Sequence, residues 1–116
     1  MTRHEYIEFC KTIVGVTMDC PFESNPDSIA IRHSDTRKWL ALIMKHNNKD
    51  IVNLKCEPMQ SDFLRSIYEG VTEAYHMNKV HWNSVYLESD VPNDEIERMT
   101  IDSFNITLKN KKGVVV

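Results

Sequence analysis

Two histidines, a lysine, two asparagines, a tryptophan and a tyrosine fall within the twelve residues 76–87, far denser in hydrogen-bonding and aromatic groups than the rest of the chain. Asn78, Lys79, His81 and Trp82 make a candidate anion or ligand site there. Lys79 and His81 would meet the anion while Asn78 orients it, and lysine binds phosphate as a point charge, adequately but without selectivity. The same residues also suit a structural role. Asparagine side chains shape turns by bonding nearby backbone, and a tryptophan buries a large ring whose N–H seeks a partner. Trp82 is therefore expected to be mostly buried and Lys79 accessible.

A second candidate lies upstream. Residues 29–56 hold six basic side chains (Arg32, Arg37, Lys38, Lys45, Lys49, Lys55) against Asp35 and Asp50, whereas residues 57–108 hold three basic against ten acidic ones. The chain is thus electrically two-faced around a formal net charge of −3. Arg32, Arg37 and Lys38 flank one turn, and Lys45 and Lys49 flank the next. Basic hairpins of this kind can track phosphates, so these five are the nucleic-acid-binding candidates, for weak and salt-sensitive contact with DNA. Charged strand ends also serve solubility and edge protection. No recognition helix accompanies them, so DNA contact must come from the sheet side.

Catalysis finds little support. Cys20 precedes Pro21 on a loop with none of the surroundings that activate a thiol, and Cys10 and Cys56 fall on apolar faces. His76 and His81 lack helical ligand spacing, and Glu5, Glu8, Asp19, Glu23 and Asp27 form no dense carboxylate run. No catalytic residue, metal or cofactor is expected. Three widely spaced cysteines suit a reducing compartment, and no apolar run approaches a membrane span, which points to the cytoplasm and to no membrane partner.

The elements that must position these groups follow from periodicity. Thr2-Arg3-His4-Glu5 reads as a capping box, with Tyr6, Phe9, Cys10, Ile13 and Val14 at helical spacing up to Gly15. Residues 19–27 read as a loop, and strands are expected at 28–33, 37–45 and 51–56, joined by short turns. Pro58 opens a second helix with Met59, Phe63, Leu64, Ile67 and Tyr68 as its buried stripe, ended by Gly70. Strands at 71–76 and 84–88 surround the 78–83 connection. A last helix starts at 92–95, with acidic groups at its positive end. The order α-β-β-β-α-β-β-α predicts an α+β two-layer sandwich, a five-stranded antiparallel sheet packed by helices. Its first and last helices should share a face. Residues 1–108 read as one domain and 109–116 as a frayed tail.

The core Asn78-Lys79-x-His81-Trp82-Asn83, with Gly70-Val71-Thr72 before it and Pro92-Asn93-Asp94-Glu95-Ile96 after it, resembles the bacterial MmcQ/YjbR family over nearly the whole chain. The resemblance implies a CyaY-like or secretion-chaperone-like antiparallel sheet and a double-wing DNA-binding role without an assigned reaction. It equally allows a protein- or peptide-binding adaptor, which would use an aromatic patch around Trp39, Tyr75 or Tyr86.

Overall fold

A computed structural model describes residues 1–109. Its elements run α1 (Arg3–Cys10), β1 (Val16–Asp19), β2 (Ile29–His33), β3 (Trp39–His46), β4 (Lys49–Lys55), α2 (Pro58–Ile67), β5 (Val71–Glu73), β6 (Trp82–Tyr86) and α3 (Asn93–Lys109). The sheet has six strands rather than five, in the order β1-β2-β3-β4-β6-β5, and every pairing is antiparallel. The extra strand is β1, a four-residue edge on β2. It is too short for alternation to distinguish it from the loop that follows.

The capping box at Thr2 forms as expected, the Thr2 hydroxyl accepting from the Glu5 amide while the Glu5 carboxylate accepts from the Thr2 amide. The helix stops at Cys10, however. The Thr12 hydroxyl caps the Phe9 carbonyl in a turn, and Val14, placed on the helix face by its spacing, stands 91% exposed. Between β3 and β4 only Asn47 and Asn48 turn the chain, both with positive φ (52° and 64°). Asparagine tolerates this left-handed region, which two-residue hairpin turns demand. The strands are therefore longer than the polar composition of residues 46–50 suggests.

All three helices lean on one face of the sheet. Tyr6 and Cys10 from α1, Leu64 from α2 and Ile96 and Met99 from α3 pack with Ile31, Ile43, Val52, Leu54 and Val85 in one core. The first and last helices thus share a face. The buried Tyr6 hydroxyl lies 2.8 Å from the Thr100 hydroxyl, which itself donates to the Ile96 carbonyl and so accepts from Tyr6. Register shifts between Ile31 and Arg32 opposite Trp39 and Ala41. There Ser103 of α3 donates to the Leu40 carbonyl and accepts from the Lys55 amide. This irregularity puts Trp39 beside Leu42 and Met44 on the helix-free face, although simple alternation pairs it with Ala41 and Ile43.

One expectation about packing fails in part. Of the expected inner stripe of α2, Leu64 is buried and Tyr68 packs against the core, but Met59, Phe63 and Ile67 face outward and Ser61 is buried in their place. The cause is Asn83 of β6, whose side chain is buried against the helix. Its Oδ1 accepts from the Ser61 hydroxyl and from Arg65 Nη1, both at 2.7 Å. Satisfying that amide turns the polar side of α2 inward. Trp82 is mostly buried, as expected, though it joins neither core cluster. The expected tail falls at residues 109–116, where Lys109 closes α3 and the rest lies outside the described residues.

Candidate functional site

The connection that carries Asn78, Lys79, His81 and Trp82 is largely occupied with its own geometry. Asn78 Oδ1 accepts from the amides of Val80 and His81, and the Asn78 carbonyl accepts from the Trp82 amide. Lys79 is exposed, yet its Nζ donates to the Ala74 carbonyl at 2.6 Å, closing the loop on itself. His81 is exposed and its carbonyl accepts from the Cys56 amide. The four residues therefore sit together, with Asn78 and Lys79 both holding backbone.

The basic candidates divide into two groups. Arg32 near the end of β2 joins Arg37 and Lys38, just before β3, at one end, and Lys45 near the end of β3 joins Lys49, which opens β4, at the other. Eight residues of extended chain separate the groups by roughly 25 Å. Each group contains a carboxylate shared between cations. Asp19 accepts from Arg32 Nε at 2.9 Å and lies 3.8 Å from Arg37. Asp50 sits 3.2 Å from Arg3 and 3.3 Å from Lys45. One carboxylate serving two cations leaves positive charge at both ends, though Glu88 shares a recess with Lys45 and Lys49.

Between these ends runs the sheet face that carries no helix; its centre (Ala30, Leu42, Met44 and Ile51) is buried, and aromatic groups collect over it. The Arg32 guanidinium stands 5.3 Å over the Trp39 ring, and Phe22 meets the same indole edge-on at 5.9 Å. At the far end Lys49 Nζ lies 6.0 Å from the Tyr86 ring. The Tyr75 ring meets His46 at 3.9 Å and His76 at 4.1 Å, tilted by 48° and 44°, and is held because the Asn53 side chain donates to its carbonyl and its amide donates to Ser84 Oγ at 2.9 Å. Trp39, Tyr75 and Tyr86 are all partly buried against that cluster and keep part of their surface exposed. A recess of about 230 Å³ opens beside Trp39, with Phe22, Leu42, Met44, His76 and Met77 in its wall. Sequence reasoning named the three aromatics but missed Phe22, His46 and Met77. Their loops fold over the sheet only in three dimensions, and no local pattern marks them.

Chemistry by covalent attack has weak footing elsewhere. A cleft of about 690 Å³ runs between α2 and the C-terminal half of α3, walled by Cys56, Glu57, Gln60, Asp102 and Asn105. Burial, with Asp102 nearby, pushes the Cys56 thiol up to about 11, and burial pushes Cys10 to about 12, so both stay protonated at neutral pH. Among the described residues no three His, Cys, Asp or Glu side chains gather as metal ligands. No helix there is long and apolar enough to cross a membrane.

The sequence model of the YjbR family matches residues 12–106. This chain is a member of the YjbR family. It is 37% identical to YyaQ of Bacillus subtilis over 117 residues, covering 92% of this chain and 98% of that protein. YjbR of Escherichia coli is 24% identical over 120 residues, all of this chain and 98% of that one. Both relatives carry names that describe them as uncharacterised. A crystal structure of a Pseudomonas syringae protein superposes with a TM-score of 0.85 at 34% identity, covering 92% of this chain and 99% of that one. A Deinococcus radiodurans structure shares the fold at 22% identity, with a TM-score of 0.81 over 98% of this chain and 82% of that one. MmcQ/YjbR membership and the α+β architecture are thus established together.

Proposed function

We propose that this YjbR-family protein is a binding module, not a catalyst, and that it lays a nucleic-acid strand across the helix-free face of its sheet. The observation that carries this reading is the pair of cation-covered rings, Arg32 over Trp39 and Lys49 over Tyr86, at opposite ends of one face. Five residues along β3 and two strand spacings separate those rings by about 20 Å. Each end offers a ring for a base and a cation for the adjoining phosphate, the combination by which single strands are held without sequence readout. Arg32, Arg37, Lys38, Lys45 and Lys49 supply the phosphate contacts in this reading, and the Asn78–Trp82 turn acts as scaffold beside them. The aromatic groups favour a single strand over a duplex, because the part of each ring left exposed can meet only unpaired bases. Three unpaired cysteines support a cytoplasmic setting.

The test is fluorescence anisotropy with labelled oligo-dT and a duplex of equal length at several salt concentrations. The expected outcome is tighter binding of the single strand, weakened roughly 5- to 100-fold by Trp39→Ala or Tyr86→Leu, as for other stacked bases. Removing Arg37 and Lys38 together should flatten the plot of log affinity against log salt by about 1.4, near 0.7 per phosphate. Absence of binding at low salt, or binding indifferent to all these substitutions, overturns the proposal.

A second reading has its own support. The recess lined by Phe22, Trp39, Leu42, Met44 and Met77 fits an apolar side chain of a peptide, and methionine-rich walls adapt to several shapes. A peptide adaptor would bind leucine-bearing peptides through this recess at high salt, where nucleic-acid contact collapses. Amide chemical-shift changes at Met44 and Met77 on peptide addition are the signal to seek.

A further inference from the structure

Along α2, Met59, Phe63 and Ile67 recur at every fourth position and stand 87%, 55% and 48% exposed. A four-residue step turns the helix by only about 40°, so the three make one continuous ridge. The ridge is not a core face left uncovered. The opposite side of α2 holds the buried Leu64 and the Ser61–Asn83–Arg65 network, so the helix is already docked on the sheet. Its border is acidic. Asp62 flanks the ridge with its side chain 78% exposed, and Glu57 and Glu69, both exposed, stand at its two ends. Arg65, the only cation of the helix, bonds Asn83 and pairs with Asp62, so Glu57 and Glu69 carry the net negative charge of the border.

We propose that the outer face of α2 is a protein-docking surface and that its partner is a basic amphipathic segment. Apolar side chains of the partner would lie along Met59, Phe63 and Ile67, as when helices dock through anchors at i and i+4. Lysines or arginines beside them would meet Glu57, Asp62 and Glu69. Charge selects this occupant. Packing the ridge on a second copy would bring the same acidic border against itself, and like charges across an interface oppose association. An anionic lipid surface is repelled for the same reason. The ridge lies on the helical layer, opposite Trp39, so it stands or falls independently of the nucleic-acid reading.

The probe is a synthetic 18-residue helix of leucine and lysine at amphipathic spacing, titrated into the full chain by calorimetry. Binding should fall at least tenfold in Phe63→Gln/Ile67→Gln and several-fold in Asp62→Lys, and remain unchanged in Trp39→Ala. A leucine–glutamate helix with the same apolar pattern should bind at least tenfold more weakly. Should the double variant fold poorly, Met59→Gln on the most exposed position carries the same comparison, with a loss of about threefold or more expected. Binding indifferent to the ridge substitutions, or equal for both helices, overturns the proposal. So does a dimer seen by sedimentation that Phe63→Gln/Ile67→Gln dissociates, because the ridge would then belong to a second copy.

Discussion

Single residues here separate into those that hold the fold and those that face outward, and the aromatic-polar stretch contains both kinds. Asn83 is buried with its amide oxygen bonded to Ser61 and Arg65, whereas Trp82 beside it is partly exposed and outside both core clusters. Replacing Asn83 by alanine removes the buried acceptor shared by Ser61 and Arg65, which keep each other and Asp62 as partners, and should cost about 1–3 kcal/mol. Replacing Trp82 by alanine should cost less than about 2 kcal/mol, well below the roughly 3–5 kcal/mol of a fully buried ring. Urea midpoints of the two variants check the order directly. A larger loss at Trp82 would mean that the indole supports the fold more than its exposure indicates.

At the level of elements, turns and irregularities decide which side chains reach the helix-free face. The shift opposite Arg32 puts Trp39 there, and the Asn47–Asn48 turn sets the register that aligns Met44 with Ile51 and Ile51 with Tyr86. Gly70, between α2 and β5, has a comparable role. The carboxylate of Asp90 accepts from the Glu69 and Gly70 amides, and a Cβ on Gly70 would come within 2.1 Å of Ser89 Oγ and 2.7 Å of its Cβ. Gly70→Ala must therefore push the 89–90 bend away, losing two charge-assisted hydrogen bonds. A destabilisation of about 1–3 kcal/mol is expected, as for other forced overpacking. Thermal melts should show it, and an unaltered melting temperature would mean that the bend yields freely.

The whole molecule is a sheet with one face covered by helices and the other by loop and aromatic side chains, and its stability should respond to alkali in a definite sense. Cys10 and Tyr6 are buried side by side in the helical core. Burial raises the Cys10 thiol from 9.0 to about 12 and holds the Tyr6 phenol well above its usual 10.0. Both are neutral when protonated, so folding favours the protonated form. Below pH 9 the folded and unfolded chains hold these protons equally and the groups make no pH-dependent difference. From about pH 9 to 12 the unfolded chain releases the thiol proton while the folded chain retains it. Stability then declines by up to about 1.4 kcal/mol per pH unit for each such group. Cys10→Ala should flatten the decline in urea midpoints measured between pH 8 and 11. An identical slope in the variant would assign the alkaline loss to other groups.

Much of this architecture was legible from local chemistry. The Thr2 box, Pro58, and the acidic start of α3 mark where helices begin, and alternation marks β2, β3 and β4, because capping and pleating act over a few residues. The family is written in the Asn78–Asn83 motif for the same reason, since that turn satisfies its own backbone. What local patterns could not contain was decided by tertiary structure. The sequence of α2 offers two apolar sides, and only the demand of buried Asn83 for partners turns Met59, Phe63 and Ile67 outward. Arg32, Trp39, Lys49 and Tyr86 look unrelated along the chain, and it is the strand order that puts them on one face. Periodicity reports that a residue is apolar; which neighbour covers it depends on polar groups far away in sequence that must be satisfied first.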